Sequence, residues 1–75
     1  MTLRDVKVGK TVVIEEIEEF PLKARLMSMG LIKGTRVRVL RAAPLGDPIA
    51  ISVRAYNLAL RLADAEKIAV REVSA

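Results

Sequence analysis

The chain has 75 residues, 52% of them hydrophobic, a formal net charge of +4, and neither cysteine nor histidine. A chain of this length forms one small domain that buries only roughly 60% of the surface its unfolded form exposes, and a mean hydropathy of +0.30 excludes disorder. The missing cysteines and histidines exclude disulfide staples, thiolate or imidazole metal sites and histidine-based catalytic triads, and they suit a reducing compartment.

The first regular element follows the turn signal Gly9-Lys10. Val12, Val13, Ile14 and Ile17 make Thr11 to Ile17 a β-branched, apolar strand. Leu22, Arg25, Leu26 and Met29 then recur at helical spacing, which predicts a helix over about 21–29 with Pro21 in its first turn and Glu18 and Glu19 at its positive end. Gly30 is the expected left-handed residue after that helix, and Leu31 takes the position where a Schellman motif makes its apolar contact. Phe20 beside Pro21 is expected either to staple the helix entry in the core or to lie open to a partner, and Met29, on the apolar stripe, is expected in the core.

After the turn Lys33-Gly34, Thr35, Val37 and Val39 alternate with Arg36, Arg38 and Leu40 as a half-buried strand. Ala42 to Pro48 reads as a loop, and Ile49, Ile51 and Val53 alternate with Ala50, Ser52 and Arg54 as the next strand. A symmetric hairpin about that loop sets Arg41 against Ile49, Val39 against Ile51 and Val37 against Val53 on the inner face. On the outer face it sets Leu40 against Ala50, Arg38 against Ser52 and Arg36 against Arg54. Ala55-Tyr56-Asn57 is expected as a tight connection, with Asn57 as the candidate for a left-handed conformation. Leu58 and Leu60 open a fourth strand. Asp64 is expected to cap a single helical turn near 64–67, and Ile68 to Val73 forms the fifth strand. The expected architecture is mainly β: a small, partly closed barrel of about five antiparallel strands with one short helix, in a single domain over 1–75.

The functional exclusions are equally specific. Phe20 and Tyr56 are the only aromatic residues, too few for a platform that stacks nucleic-acid bases or a groove that grips proline-rich peptides. No apolar run is long enough to span a membrane, and Met1 to Lys10 has no signal-peptide core, so a cytoplasmic location is expected. The chain contains no phosphate-binding glycine motif; Gly9-Lys10-Thr11 matches only the end of one and reads as a turn. Ser28, Ser52 and Ser74 have no histidine to activate them, so no catalytic residue and no cofactor is expected. Glu15, Glu16, Glu18 and Glu19 offer only carboxylates, and strand alternation is expected to set Glu15 and Glu16 on opposite faces, against a metal site. The positive charge, by contrast, is concentrated: Phe20 to Arg61 carries eight basic residues against one acid, a balance of +7. Such a segment suits an acidic partner surface.

Arg25-Leu26-Met27-Ser28-Met29-Gly30-Leu31-Ile32-Lys33-Gly34-Thr35 resembles the core motif of the FeoA family, ferrous iron transport protein A. Pro44-Leu45-Gly46-Asp47-Pro48-Ile49 and Leu58-Ala59-Leu60-Arg61 resemble that family's next two blocks, in the same order. The chain departs from the pattern at Ala55, where glycine is common, and at Lys33, where proline is frequent. The resemblance implies an SH3-like barrel and a cytosolic accessory role beside the GTPase-containing ferrous iron permease of bacteria, without enzymatic activity. A nucleic-acid-binding small barrel is one alternative. A stand-alone regulatory domain related to the C-terminal domain of iron-dependent repressors is the other. Within the implied role, the expected partner-binding residues are Arg36, Arg38 and Arg54 around Leu40, with Met27 on the helix as the next candidate. The expected partner is the permease or a small transport protein associated with it, with self-association open, no nucleic acid, and membrane contact only through the partner.

Overall fold

Alternation along the strands places the branched apolar side chains on one face of a sheet, and the sheet curls around them. The computed structural model describes residues 1–54 and 56–73. Its strands are β1 (Thr11–Ile17), β2 (Arg36–Ala42), β3 (Ile49–Val53), β4 (Tyr56–Leu60) and β5 (Ile68–Glu72), with two short helices, α1 (Lys23–Ser28) and α2 (Leu62–Ala65). All neighbours are antiparallel, in the order β4-β3-β2-β1-β5. One core cluster takes residues from every strand: Val12, Ile14 and Ile17, then Val37 and Val39, then Ile49, Ile51 and Val53, then Leu60, and finally Ile68 and Val70. A single sheet contributes both its edges to one core only if it is strongly coiled, which gives the expected barrel.

The end of α1 follows the sequence expectation. The Gly30 amide donates to the Met27 carbonyl at 3.0 Å and the Leu31 amide to the Leu26 carbonyl at 3.1 Å. With Gly30 at φ +101°, this is the Schellman pattern, and Leu26 and Leu31 meet in the core. The beginning differs. Phe20 to Leu22 form a turn in which the Lys23 amide bonds to the Phe20 carbonyl at 3.0 Å, so the helix runs over 23–28 rather than 21–29. That turn folds Phe20 and Leu22 onto the core, where both are partly buried, as expected for Phe20. Met29 is half-buried and lies outside the core cluster, contrary to its expected core position, because the helix ends in the glycine turn that directly follows it.

Two bulges correct the expected registers. Opposite β3, the pairs Val37–Val53, Arg38–Ser52 and Val39–Ile51 hold, but an irregularity at Leu40 shifts the rest to Arg41–Ala50 and Ala42–Ile49. The expected Arg41–Ile49 and Leu40–Ala50 pairs therefore do not form. The extra residue lets Ala42 stay in the ladder, and the loop contracts to Ala43–Pro48, closed by a bond of 2.9 Å from the Ala43 amide to the Pro48 carbonyl. In β1, the shift between Ile14 and Glu16 opposite β5 leaves Glu15 and Glu16 both exposed instead of on opposite faces. Ile17 is thereby returned to the core.

The turn after β3 is tighter than expected. Val53 already faces Tyr56 and Ser52 faces Asn57, so β4 begins at Tyr56 and Asn57 is extended. The positive φ falls on Arg54, at 52°, which takes Arg54 out of the ladder and removes the expected Arg36–Arg54 pair; on its other side Arg36 faces Val13 of β1. The expectation at Ala55 lies outside the described residues. Near the C-terminus the helical turn spans 62–65, not 64–67, and Asp64 does not cap it. Its first amide, on Leu62, is capped by the Asp47 carboxylate at 3.0 Å, reaching across from the β2–β3 loop. Starting there, the turn drives Ala65 fully into the core and Leu62 partly. An additional 3-10 turn at Leu3–Asp5 carries Leu3 into the core at 0% exposure. The N-terminus runs along β5, where the Val70 amide donates to the Met1 carbonyl at 3.0 Å.

Candidate functional site

Residues directly opposite across antiparallel strands share a face. The ladders therefore assemble three rows on the outside of the barrel. Across β4, β3, β2 and β1 run Asn57, Ser52, Arg38 and Thr11. One step along, Arg36, Val13 and Arg71 run across β2, β1 and β5. Beyond the bulge, Arg41 leads a row of two alanines, Ala50 and Ala59. The outer face thus carries Arg36, Arg38, Arg41 and Arg71, all exposed.

Val13 shows how two of these side chains lie. It points away from the core and yet is only 6% exposed. Arg36 and Arg71 stand directly opposite it on the two sides, where the aliphatic stem of an arginine can lie on apolar surface with its guanidinium in water. Among the described residues the ion pairs are Arg4–Glu66 and Lys23–Glu19, so none of the four guanidinium groups on this face is neutralised by a carboxylate of those residues. The face can attract and orient an anionic surface.

The expected patch is only partly assembled. Arg36 and Arg38 stand together on it, and Leu40 is half-buried at the bulge beside them. Arg54 lies past the end of β3, with its Cδ and Nε 3.9 Å from the position a side-chain carbon on Gly30 would occupy. Met27 is 43% exposed on α1 and belongs to a different hollow, lined also by Glu15, Glu16, Ile32 and Lys33. Arg71 completes the middle row and is absent from the sequence-based set. Its alternation with Val70 marks it as outward-facing, but only the β1–β5 pairing shows that it joins Arg36.

No group of three or more histidine, cysteine, aspartate or glutamate residues is placed to hold a metal ion among the described residues. No helix among them is long and apolar enough to cross a membrane. The Asp5 carboxyl is held below its ordinary value of 3.8, chiefly by the Thr2 amide that donates to it, at 2.9 Å. It lies on the N-terminal turn and is not a member of the arginine rows.

A five-stranded coiled antiparallel sheet with a short helix between its first two strands and a helical turn before its last defines a small SH3-like β-barrel domain. The chain belongs to the FeoA family: the FeoA domain model matches residues 1–72. It is 35% identical over 75 residues to an Fe(2+) transport protein A/Fe(2+) transporter FeoB fusion protein of Porphyromonas gingivalis, covering 99% of this chain and 9% of the fusion. The solution structure of a FeoA protein from Chlorobium tepidum superposes with a TM-score of 0.93 at 36% identity, over 99% of this chain and 71% of that one. The crystal structure of Stenotrophomonas maltophilia FeoA complexed with zinc, described as a prokaryotic SH3 domain protein, gives a TM-score of 0.83 at 28% identity, over 95% and 89% of the two chains. These relatives tie the family to ferrous iron transport, and in the fusion a domain of this kind shares a chain with the transporter.

Proposed function

We propose that residues 1–75 act as a single non-enzymatic, cytoplasmic domain that binds and modulates the GTPase-containing ferrous iron permease, using the arginine rows of the outer sheet face. The observation that carries this reading is the Porphyromonas gingivalis fusion, in which a sequence 35% identical to this one is joined covalently to the FeoB transporter. Two partners that work together as separate chains gain effective concentration when fused, and a fusion preserves the association without adding a contact. The exposed guanidinium groups of Arg36, Arg38 and Arg71, free of intramolecular carboxylates among the described residues, supply the complementary charge for an acidic partner surface. Leu40 and Arg54 lie at the margin of this surface, and Met27 forms a second, lesser contact on α1. The domain needs no cofactor for this work and does not itself hydrolyse GTP.

The test is titration of the domain into the purified permease at several salt concentrations. The expected result is salt-sensitive binding that Arg36→Glu, Arg38→Glu and Arg71→Glu together weaken at least tenfold, with the fold retained by circular dichroism. Equal affinity of the charge-reversed and parent domains at low salt moves the docking face elsewhere. Salt-sensitive binding to DNA or RNA in place of the permease overturns the reading.

A further inference from the structure

We infer that the β2–β3 loop is a preformed apolar plug, with Leu45 as its anchor, that inserts into an acid-rimmed apolar socket on the protein partner. A single exposed leucine is ordinary on a protein surface. Leu45 differs in degree and setting. It is 97% exposed, the most exposed large apolar residue of the described chain. It is flanked by exposed Pro44 and Pro48, and the base of the loop carries a hollow of about 370 Å³ lined by Ala42, Ala43, Pro44, Pro48, Ala50 and Ala59, with Arg41 as its only charged wall. Pro44 links the two, since it lines the hollow and directly precedes Leu45.

The loop is also held in shape before any partner arrives. The Ala43 amide donates to the Pro48 carbonyl at 2.9 Å, and the Gly46 amide turns back to the Ala43 carbonyl at 2.7 Å. Gly46 stands at φ +87°, which glycine alone adopts at low cost. The Asp47 carboxylate pins the far side of the loop to the Leu62 amide of α2 at 3.0 Å. A side chain presented on a pinned loop loses little freedom on binding, and this is how one residue becomes a dominant contact.

Charge selects the occupant. Arg41 lines the hollow at the base of the loop, exposed Arg61 precedes the Leu62 to which the loop is pinned, and one oxygen of Asp47, the loop's own acid, is engaged by the Leu62 amide. Arg41 continues the line of Arg38 and Arg36 along β2, so the plug stands at one end of the basic face. The matching surface is an acidic groove with an apolar socket at its end. A lipid surface is disfavoured because one leucine buries too little apolar area to hold a domain on a bilayer. The inference rests on the proposed function for its partner, and it adds the residue that locks the complex.

The experiment measures dissociation of the domain from the purified permease, comparing the parent, Leu45→Ser and Leu45→Met. All three are expected to melt alike, since the side chain is in water. Leu45→Ser is expected to dissociate at least tenfold faster with its salt dependence unchanged, and Leu45→Met to retain most of the affinity. Equal dissociation of parent and Leu45→Ser overturns the plug while leaving the proposed function intact. Failure of the parent to bind overturns both. Leucine-dependent binding to phosphatidylglycerol vesicles, or a leucine-dependent dimer in sedimentation equilibrium, also overturns it by assigning the tip to a membrane or to a second copy.

Discussion

Val39 and Asp5 mark two extremes of what one side chain does here. Val39 is 1% exposed, faces Ile51 across the ladder and belongs to the apolar core cluster. Val39→Asp buries an unpaired carboxylate or forces it to remain protonated, at a cost of several kcal/mol. A domain with roughly 0.05–0.15 kcal/mol of stability per residue does not withstand this. The expected outcome is loss of cooperative melting by circular dichroism; a soluble variant with a sharp transition contradicts the register. Asp5 is exposed, and its effect appears with pH. Its carboxylate accepts from the Thr2 amide, which depresses its value in the folded state. Its stabilisation is therefore complete above the unfolded aspartate value and lost as pH falls through the lower folded one. Asp5→Asn is expected to remove that part of the acid limb in a stability–pH profile, and carboxyl NMR of the parent to place Asp5 below 3.8.

Helix ends and hairpins show local and long-range signals dividing the work. The C-terminus of α1 is settled by adjacent residues, Gly30 and Leu31, and this part was legible in the sequence. The N-terminus of α2 is settled by Asp47, fifteen residues away. The nearer Asp64 was a sound local candidate, but the turn begins two residues earlier, where Leu62 and Ala65 reach the core. Asp47→Ala is expected to cost about 0.5–2 kcal/mol, as removal of a helix cap does, in urea unfolding. Asp47→Asn, which keeps an acceptor oxygen, is expected to recover most of it. The same substitution loosens the loop carrying Leu45, so in binding experiments Asp47→Ala is expected to weaken the partner contact without touching the anchor.

Across the whole molecule the arginine rows set an electrostatic property that the parts lack. Arg36 and Arg38 are about 6.8 Å apart along β2, and Arg36 and Arg71 are two strand spacings, roughly 9.5 Å, apart. These separations fall within the screening length of about 10 Å at 0.1 M salt, and the chain's net charge of +4 adds to the repulsion. Raising sodium chloride from low ionic strength to about 0.5 M is therefore expected to raise the melting temperature. The gain is expected to disappear in the Arg36→Ser, Arg71→Ser double variant. A melting temperature that is flat or falling with salt in the parent places the guanidinium groups in contacts the ladders do not contain.

The strands, the end of α1 and the inner pairing of Val37 and Val39 with Val53 and Ile51 were determined by the sequence itself. Alternation, β-branching and a glycine cap act over a few residues and need no knowledge of the remainder. The bulges at Glu15 and Leu40, the burial of Leu3 and the cap from Asp47 were decided by the tertiary structure. In each, a locally reasonable arrangement gives way so that a nearby apolar residue fills the core or a distant partner is met. The functional surface divides in the same way. The sequence shows that Arg36 and Arg38 point outward, because they alternate with Val37 and Val39, and the structure adds Arg71 beside Val70. Their meeting on one face depends on β1 lying between β2 and β5, and strand order is chosen by core closure rather than by any residue in the patch.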